Sequence, residues 1–132
     1  MMNRTWHPIP SRLWVVSLAE ALAGRIHSRI DAWPAQERAD LGDQLRRSID
    51  SVGANITEGY ARAHVRERLN FFSMAQGSLE EVLYHVRKAR GRNLFTRLEA
   101  YTLSGLLIRL SRGLQNLGYA QTERTADERN GG

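Results

Sequence analysis

Four apolar stripes at helical spacing, each bounded by a proline, glycine or asparagine break, restrict this chain to an all-helical fold. After Pro8 and Pro10, Ser11 is placed to cap a helix carrying Leu13, Val16, Leu18, Leu22, Ile26 and Ile30 as far as about Asp31. Trp33-Pro34 breaks that pattern, and the proline suits the first turn of a second helix, from about Ala35 to Tyr60. Its stripe is Leu41, Leu45, Ile49, Val52 and Ile56, with Gly59 marking its end. A third helix, from about Val65 to Arg90, carries Val65, Leu69, Phe72, Ala75, Leu79, Val82 and Val86, then meets the stop residues Gly91 and Asn93. Thr96 is placed to cap a fourth, with Leu98, Tyr101, Gly105, Leu106, Arg109, Leu110, Leu114 and Leu117, ending near Gly118. No segment has the alternation of a strand. Short links favour antiparallel neighbours, so the expected architecture is all-α, an antiparallel up-down-up-down four-helix bundle over residues 11–121. Residues 1–10 read as an N-terminal arm, and residues 122–132, rich in Glu, Arg, Asp, Asn and Gly, as a disordered tail. Trp14, Val15 and Phe71 fall off the stripes and are candidates for a subunit interface.

Length and composition narrow the class further. A chain of 132 residues holds one core and not two. The absence of cysteine removes disulfides and thiolate metal sites and fits a reducing cytoplasm. The N-terminus has no apolar run of signal-peptide type, and no stretch approaches the ~18 consecutive apolar residues of a membrane span. The expectation is a soluble cytoplasmic protein without a membrane partner. The net charge is +5, and Lys88 is the single lysine among 19 basic residues. Guanidinium groups match phosphate and carboxylate geometry, so an arginine-rich surface suits nucleic acid. The codon usage of a GC-rich genome is the competing source of that excess.

Polar and small residues interrupt the second and third helices. Ser48, Ser51, Asn55, Glu58 and Arg62 recur every three or four residues beside the apolar stripe. Gly53 lies within the second helix and Gly77-Ser78 within the third, followed by Glu80 and Glu81. Interior glycine costs about 1 kcal/mol relative to alanine, so paired glycines suggest two backbones in close approach, with Asn55, Ser78 and a carboxylate bonding across the contact. A catalytic alternative exists. Glu58 and Glu81 could form a carboxylate pair with His85 one turn further on. A di-metal bundle, however, needs Glu-x-x-His on two helices plus two further glutamates, and His7, His27 and His64 supply no second motif. A structural polar network is the stronger reading, with no catalytic residue, metal or cofactor expected. No phosphate loop or dinucleotide fingerprint occurs.

Two segments resemble a known family. Arg46-Arg47-Ser48-Ile49-x-Ser51-Val52-x-x-Asn55-Ile56-x-Glu58-Gly59 is similar to the "RRAxxSIxxNIAEG" segment of the four-helix-bundle proteins encoded in intervening sequences of 23S ribosomal RNA genes. Phe71-Phe72-Ser73-Met74-Ala75-Gln76-Gly77-Ser78-Leu79-Glu80-Glu81 resembles that family's "FLxxAxGSLxE" segment, Leu41 and Gln44 match its "LxxQ" entry to the helix, and Trp14 stands where the family often has tryptophan. Gly53 replaces a common proline, Thr57 a common alanine, and Tyr60 to His64 lack the usual lysine-rich link. The resemblance implies a ring-like homopentamer without enzymatic activity. It extends to the accessory variability determinant proteins of diversity-generating retroelements, which implies nucleic acid, RNA or DNA, and a reverse transcriptase as partners.

A candidate binding surface follows from charge. No acid lies between Glu81 and Glu99, an interval holding His85, Arg87, Lys88, Arg90, Arg92 and Arg97. In an up-down bundle Arg25, Arg29 and Arg38 join the same end. Phosphate affinity grows with the number of such contacts. Cations also complement the negative end of a helix dipole, and Asp31, Glu37 and Asp40 dilute the patch. A second acid-free interval, Tyr60 to Arg66, lies at the opposite end, where Tyr60 could stack on a base or simply pack. The competing function is a protein–protein scaffold with no direct nucleic-acid role.

Overall fold

The computed structural model describes the backbone of residues 9–131 and the side chains of residues 14–121 and 129–131. Within these residues the chain is all-helical, in the order α1 (Ile9–Asp31), a three-residue α2 (Ala35–Glu37), a π-helical turn (Arg38–Gly42), α3 (Asp43–Ala61), α4 (Val65–Gly91) and α5 (Arg97–Gly131). Most of the expected N-terminal arm, residues 1–8, lies outside the described residues. Three boundaries differ from the sequence reading. Helix α1 begins at Ile9, so Ser11 lies inside it rather than capping it. The second helix is broken into α2, the π turn and α3, with Pro34 one position earlier than expected, as the N-cap. Helix α5 runs past Gly118 to Gly131, where a disordered tail was expected from residue 122.

The helix ends explain themselves locally. After α4, Asn93 takes a left-handed conformation (φ 60°). The Asn93 N–H then bonds to the Arg90 carbonyl at 3.1 Å, and the Leu94 N–H to the Ala89 carbonyl at 2.9 Å. This is the paired arrangement that satisfies the last carbonyls of a helix, with asparagine in the position glycine usually fills. The start of α5 is a capping box. Thr96 Oγ1 accepts from the Glu99 N–H at 3.1 Å, and the Glu99 carboxylate accepts from the Thr96 N–H at 2.8 Å.

Helix α1 packs on α3 and α5, and α4 packs on the same two helices. The expected stripes of the second and third helices are largely the observed core: Leu41, Leu45, Ile49, Val52, Ile56, Phe72, Ala75, Leu79, Val82 and Val86 are buried. Helices α1 and α5 are phased differently. In α1 the core residues are Val15, Ala19, Leu22, Ile26 and Ile30, so Val15 is an interior residue rather than an interface candidate. In α5 they are Leu103, Leu107, Leu110, Leu114 and Leu117, while Leu98 and Tyr101 are 73% and 80% exposed.

Close approach occurs at other glycines than those expected. A Cβ on Gly77 or Gly53 would meet nothing within 4 Å, so these two do not bring backbones together. Gly59 does. A Cβ there would stand 2.6 Å from the Phe72 ring, which packs edge-to-face on Tyr60 with centroids 5.2 Å apart. Gly59 therefore makes room for an aromatic side chain and is not the helix stop, since α3 continues to Ala61. Gly42, in the π turn, similarly lets the chain cross Ile30, whose Cγ2 would lie 2.9 Å from an added Cβ. The polar contact between α3 and α4 is Ser51 with Ser78 at 2.8 Å, and Asn55 Nδ2 donates to the Ser51 carbonyl and hydroxyl. Neither glutamate takes part: Glu58 pairs with Arg62, just past the end of α3, and Glu81 is exposed.

Two predictions follow from these contacts. Gly59→Ala forces a methyl group into the Phe72 ring and should lower unfolding free energy by about 1–3 kcal/mol. Gly77→Ala meets no neighbour and should raise it by up to about 1 kcal/mol. Urea titrations distinguish the two signs. At the α5 cap, Thr96→Ala should cost about 1 kcal/mol. The Arg29 guanidinium and the Thr96 N–H hold the Glu99 carboxyl below its ordinary value of 4.5. Its stabilising effect is therefore complete above pH 4.5 and disappears as pH falls through the folded-state value. Glu99→Gln should be less stable than the parent at pH 7, with the gap closing in acid, in urea titrations repeated from pH 7 to pH 3.

Candidate nucleic-acid interface

The end of the molecule expected to be basic is organised around two linkers. Trp33, between α1 and α2, is buried, with 3% of its surface exposed, and donates from Nε1 to the Leu94 carbonyl at 3.1 Å. Its ring meets Phe95, also buried, edge-to-face at 5.5 Å. Arg38 Nη1 donates to the Trp33 carbonyl at 2.6 Å. The turn after α4 is thus fastened to the turn after α1, which brings Arg25, Arg29, Arg38, Arg87, Lys88, Arg90, Arg92 and Arg97 to one end.

They do not act as one patch of eight. Arg29 forms a two-pronged bond to Glu99, at 2.6 and 3.2 Å. Arg92 reaches Glu37 at 2.9 Å and Asp40 at 3.3 Å, and these bonds raise its pKa further above the ordinary arginine value. Both differ from the sequence reading, because their charges are met by carboxylates. Among the described residues Arg25, Arg87, Arg90 and Arg97 form no ion pair, and Lys88 lies 5.4 Å from the centre of the Tyr84 ring. Arg38 is exposed, with one donor used on Trp33.

Helical spacing separates the free cations into two groups. Gln76 and Ser111 exchange hydrogen bonds between α4 and α5, at 3.0 and 3.1 Å. Arg87 and Arg90 follow Gln76 by about three and four turns, so they lie on the α5 side of α4. Arg25 belongs instead to the seam between α1 and α5, where a groove is lined by Arg25, Ser28, Arg29, Leu98, Glu99, Thr102 and Leu103. The exposed first turns of α5 run between these groups, carrying Arg97, Leu98 and Tyr101. The sequence stripe places Tyr101 in the core together with Leu98, whereas both are exposed. The signal that identifies the position of Tyr101 is the phase of Leu103, Leu107 and Leu110, which puts residue 101 opposite the core.

The alternative residues Glu58, Glu81 and His85 form no metal-binding cluster among the described residues. His85 is buried, with 7% of its surface exposed, and its Nδ1 has no hydrogen-bond partner. Burial lowers its pKa from 6.5, with Glu81 opposing and Lys88 adding to the shift. Among the described residues no group of three His, Asp or Glu side chains converges in a way that could hold a metal ion. At the opposite end Tyr60 packs on Phe72, and Arg62 pairs with Glu58 and lies 4.9 Å from the Phe71 ring centre. Among the described residues no helix is long and apolar enough to cross a membrane.

Comparison with known proteins gives a consistent picture. Among solved structures, a protein of unknown function from the S23 ribosomal protein family of Bacteroides thetaiotaomicron VPI-5482 superposes with a TM-score of 0.77. It is 18% identical, and the match covers 83% of this chain and 98% of that one, a likeness of fold. No curated protein matches. Residues 11–116, which include both motif segments, all of α3 and α4 and the greater part of α1 and α5, match the 23S rRNA-intervening sequence proteins, and the chain belongs to that family.

Proposed function

We propose that this protein binds nucleic acid, RNA in the first instance, through the first turns of α5 and the arginines on either side of them, without catalysing a reaction. The observation that carries this reading is Tyr101. It is 80% exposed beside Leu98 and Arg97, with Arg87 and Arg90 on one flank and Arg25 on the other. A tyrosine ring on a rigid helix offers a stacking surface for a base, and unpaired arginines beside it meet the phosphates. The family name, which concerns 23S rRNA, supports RNA over DNA.

The finer architecture belongs to the same proposal. Contacts of α1 with α3 join His27 to Asp50 and Asp31 to Arg46, so residue numbers rise on one helix as they fall on the other. Ser51 with Ser78 and Gly59 with Phe72, Gln76 with Ser111 and Arg68 with Gln121, and Arg29 with Glu99 and Trp14 with Gly113 repeat that opposite running for the other three seams. These pairings support an antiparallel up-down-up-down bundle of α1, α3, α4 and α5. Assembly as a homopentamer, and service as an adaptor for a reverse transcriptase, follow from the family resemblance and place repeated copies of the surface around an axis. Leu98, Tyr101, Ile108 and Tyr119 share the exposed side of α5, which favours a second reading of this surface as a protein–protein contact.

Binding of labelled single-stranded RNA across a salt series tests the proposal. Tyr101→Ala should cost about 1–3 kcal/mol of binding free energy per stacked base. Replacing Arg87, Arg90 and Arg97 together by glutamine should flatten the dependence of log K on log salt by about 0.7 per lost phosphate contact. Helical content should be unchanged by circular dichroism. A parent protein with no affinity at low salt, or with a salt-independent one, excludes the reading.

A further inference from the structure

On the seam between α1 and α3 small side chains leave space unfilled at the surface, which forms a groove. Ala19 and Ile49 form its buried floor, and Val16, Ala23, Gly53 and Ala54 its apolar walls. Gly53 is central. No atom lies within 4 Å of where its Cβ would be, so its absent side chain serves no packing contact within the chain. The lining extends along α3 from Ile49 to Glu58, about 13 Å at 1.5 Å per residue, or two and a half helical turns.

The charge of this groove is opposite to that of the protein. Its polar rim consists of Glu20, Asp50, Thr57 and Glu58, and neither arginine nor lysine contributes to the lining, in a chain of net charge +5. Two of the three carboxylates keep their charge unmet. Asp50 is contacted by His27 Nε2 at 2.7 Å, and Arg46 Nη1 lies 2.7 Å from His27 Nδ1. A guanidinium only donates, so Nδ1 must accept, and the imidazole is the neutral tautomer whose Nε2–H donates to Asp50. Arg46 spends its own charge on Asp31, at 2.6 Å and away from the groove. Glu20 forms no ion pair among the described residues, and Glu58 is paired with Arg62 across one turn.

We infer that the α1–α3 groove is a docking site for a cationic amphipathic helix of a protein partner. Apolar side chains spaced i, i+3/i+4, i+7 on the incoming helix would fill the space over Gly53, while lysines or arginines along its edges would meet Glu20 and Asp50. Helix-in-groove recognition needs an apolar slot and a rim of complementary charge, and both are present. The site lies on a different seam from Tyr101 and Arg97, so the inference does not rest on the nucleic-acid reading.

A fluorescent 18-residue peptide with leucine on one helical face and lysine on the other is the probe, beside a scrambled peptide of the same composition. Anisotropy titrations should show salt-sensitive binding of the amphipathic peptide and at least tenfold weaker binding of the scrambled one. Gly53→Leu fills the groove without meeting a neighbour in the fold, so it should reduce peptide affinity at least tenfold while leaving the melting temperature the same or higher and RNA binding intact. Glu20→Gln with Asp50→Asn should weaken peptide binding several-fold and flatten its salt dependence, providing a second arm should the leucine variant fold poorly. Equal affinity of parent and both variants overturns the inference, as does equal binding of the scrambled peptide. A change in oligomeric state with Gly53→Leu, at unchanged peptide affinity, also overturns it by assigning the groove to a second copy of the chain.

Discussion

The hydrogen bond from Trp33 Nε1 to the Leu94 carbonyl is the join on which the charged end depends. A linker after a helix ordinarily runs over the surface, with its backbone groups in water. Here the α1–α2 linker puts a tryptophan into the core, where its ring finds Phe95 and its N–H finds a carbonyl of the α4–α5 turn. That turn is itself fixed by left-handed Asn93 and by the Thr96–Glu99 box. With both turns fixed to each other, Arg92 comes within reach of Glu37 and Asp40, and Arg29 within reach of Glu99. Exposed ion pairs of this kind contribute little stability by themselves. Their consequence is selective, because they decide which arginines remain available to an outside ligand.

Much of this was legible in the sequence, and the exceptions share a physical cause. The second and third stripes are narrow, with polar residues on both flanks, so their phase has one solution, and the residues that read as core are buried. Helices α1 and α5 carry apolar residues all round. In α1, Trp14, Val15, Val16 and Leu18 allow more than one face, and the face with Ala19 lies inside because a small residue permits closer packing against α3. In α5, Leu98, Tyr101 and Ile108 make a stripe as regular as the buried one, and only the neighbouring helices choose between them. The α5 cap was readable because a capping box is local, spanning Thr96 to Glu99. The Arg29–Glu99 pair, 70 residues apart in the chain, had no local signal.

The glycines show the same division. Gly53 and Gly77 looked like a matched pair because each interrupts a helix, but interruption alone does not identify what lies opposite. Gly59 does face a neighbour, the Phe72 ring, and the two residues sit in the two motif segments of the family. The Ser51–Ser78 bond, with Asn55 behind it, lies on the same seam. The motif residues therefore include several that set the distance and register between α3 and α4, while the exposed Glu81 is left free of that task.

The two seams flanking α1 carry opposite electrostatic characters, and a single side chain separates them. Arg46 on α3 lies between a basic end and an acid-rimmed groove. By bonding Asp31 it neutralises an acid that would otherwise dilute the arginines at the end of α1. By donating to His27 Nδ1 it fixes the imidazole in a neutral form, so that Asp50 is hydrogen-bonded without being neutralised. One guanidinium thus keeps the end positive and the groove negative, over a distance along α1 of about one turn. The two surfaces therefore carry opposite charge on one small domain.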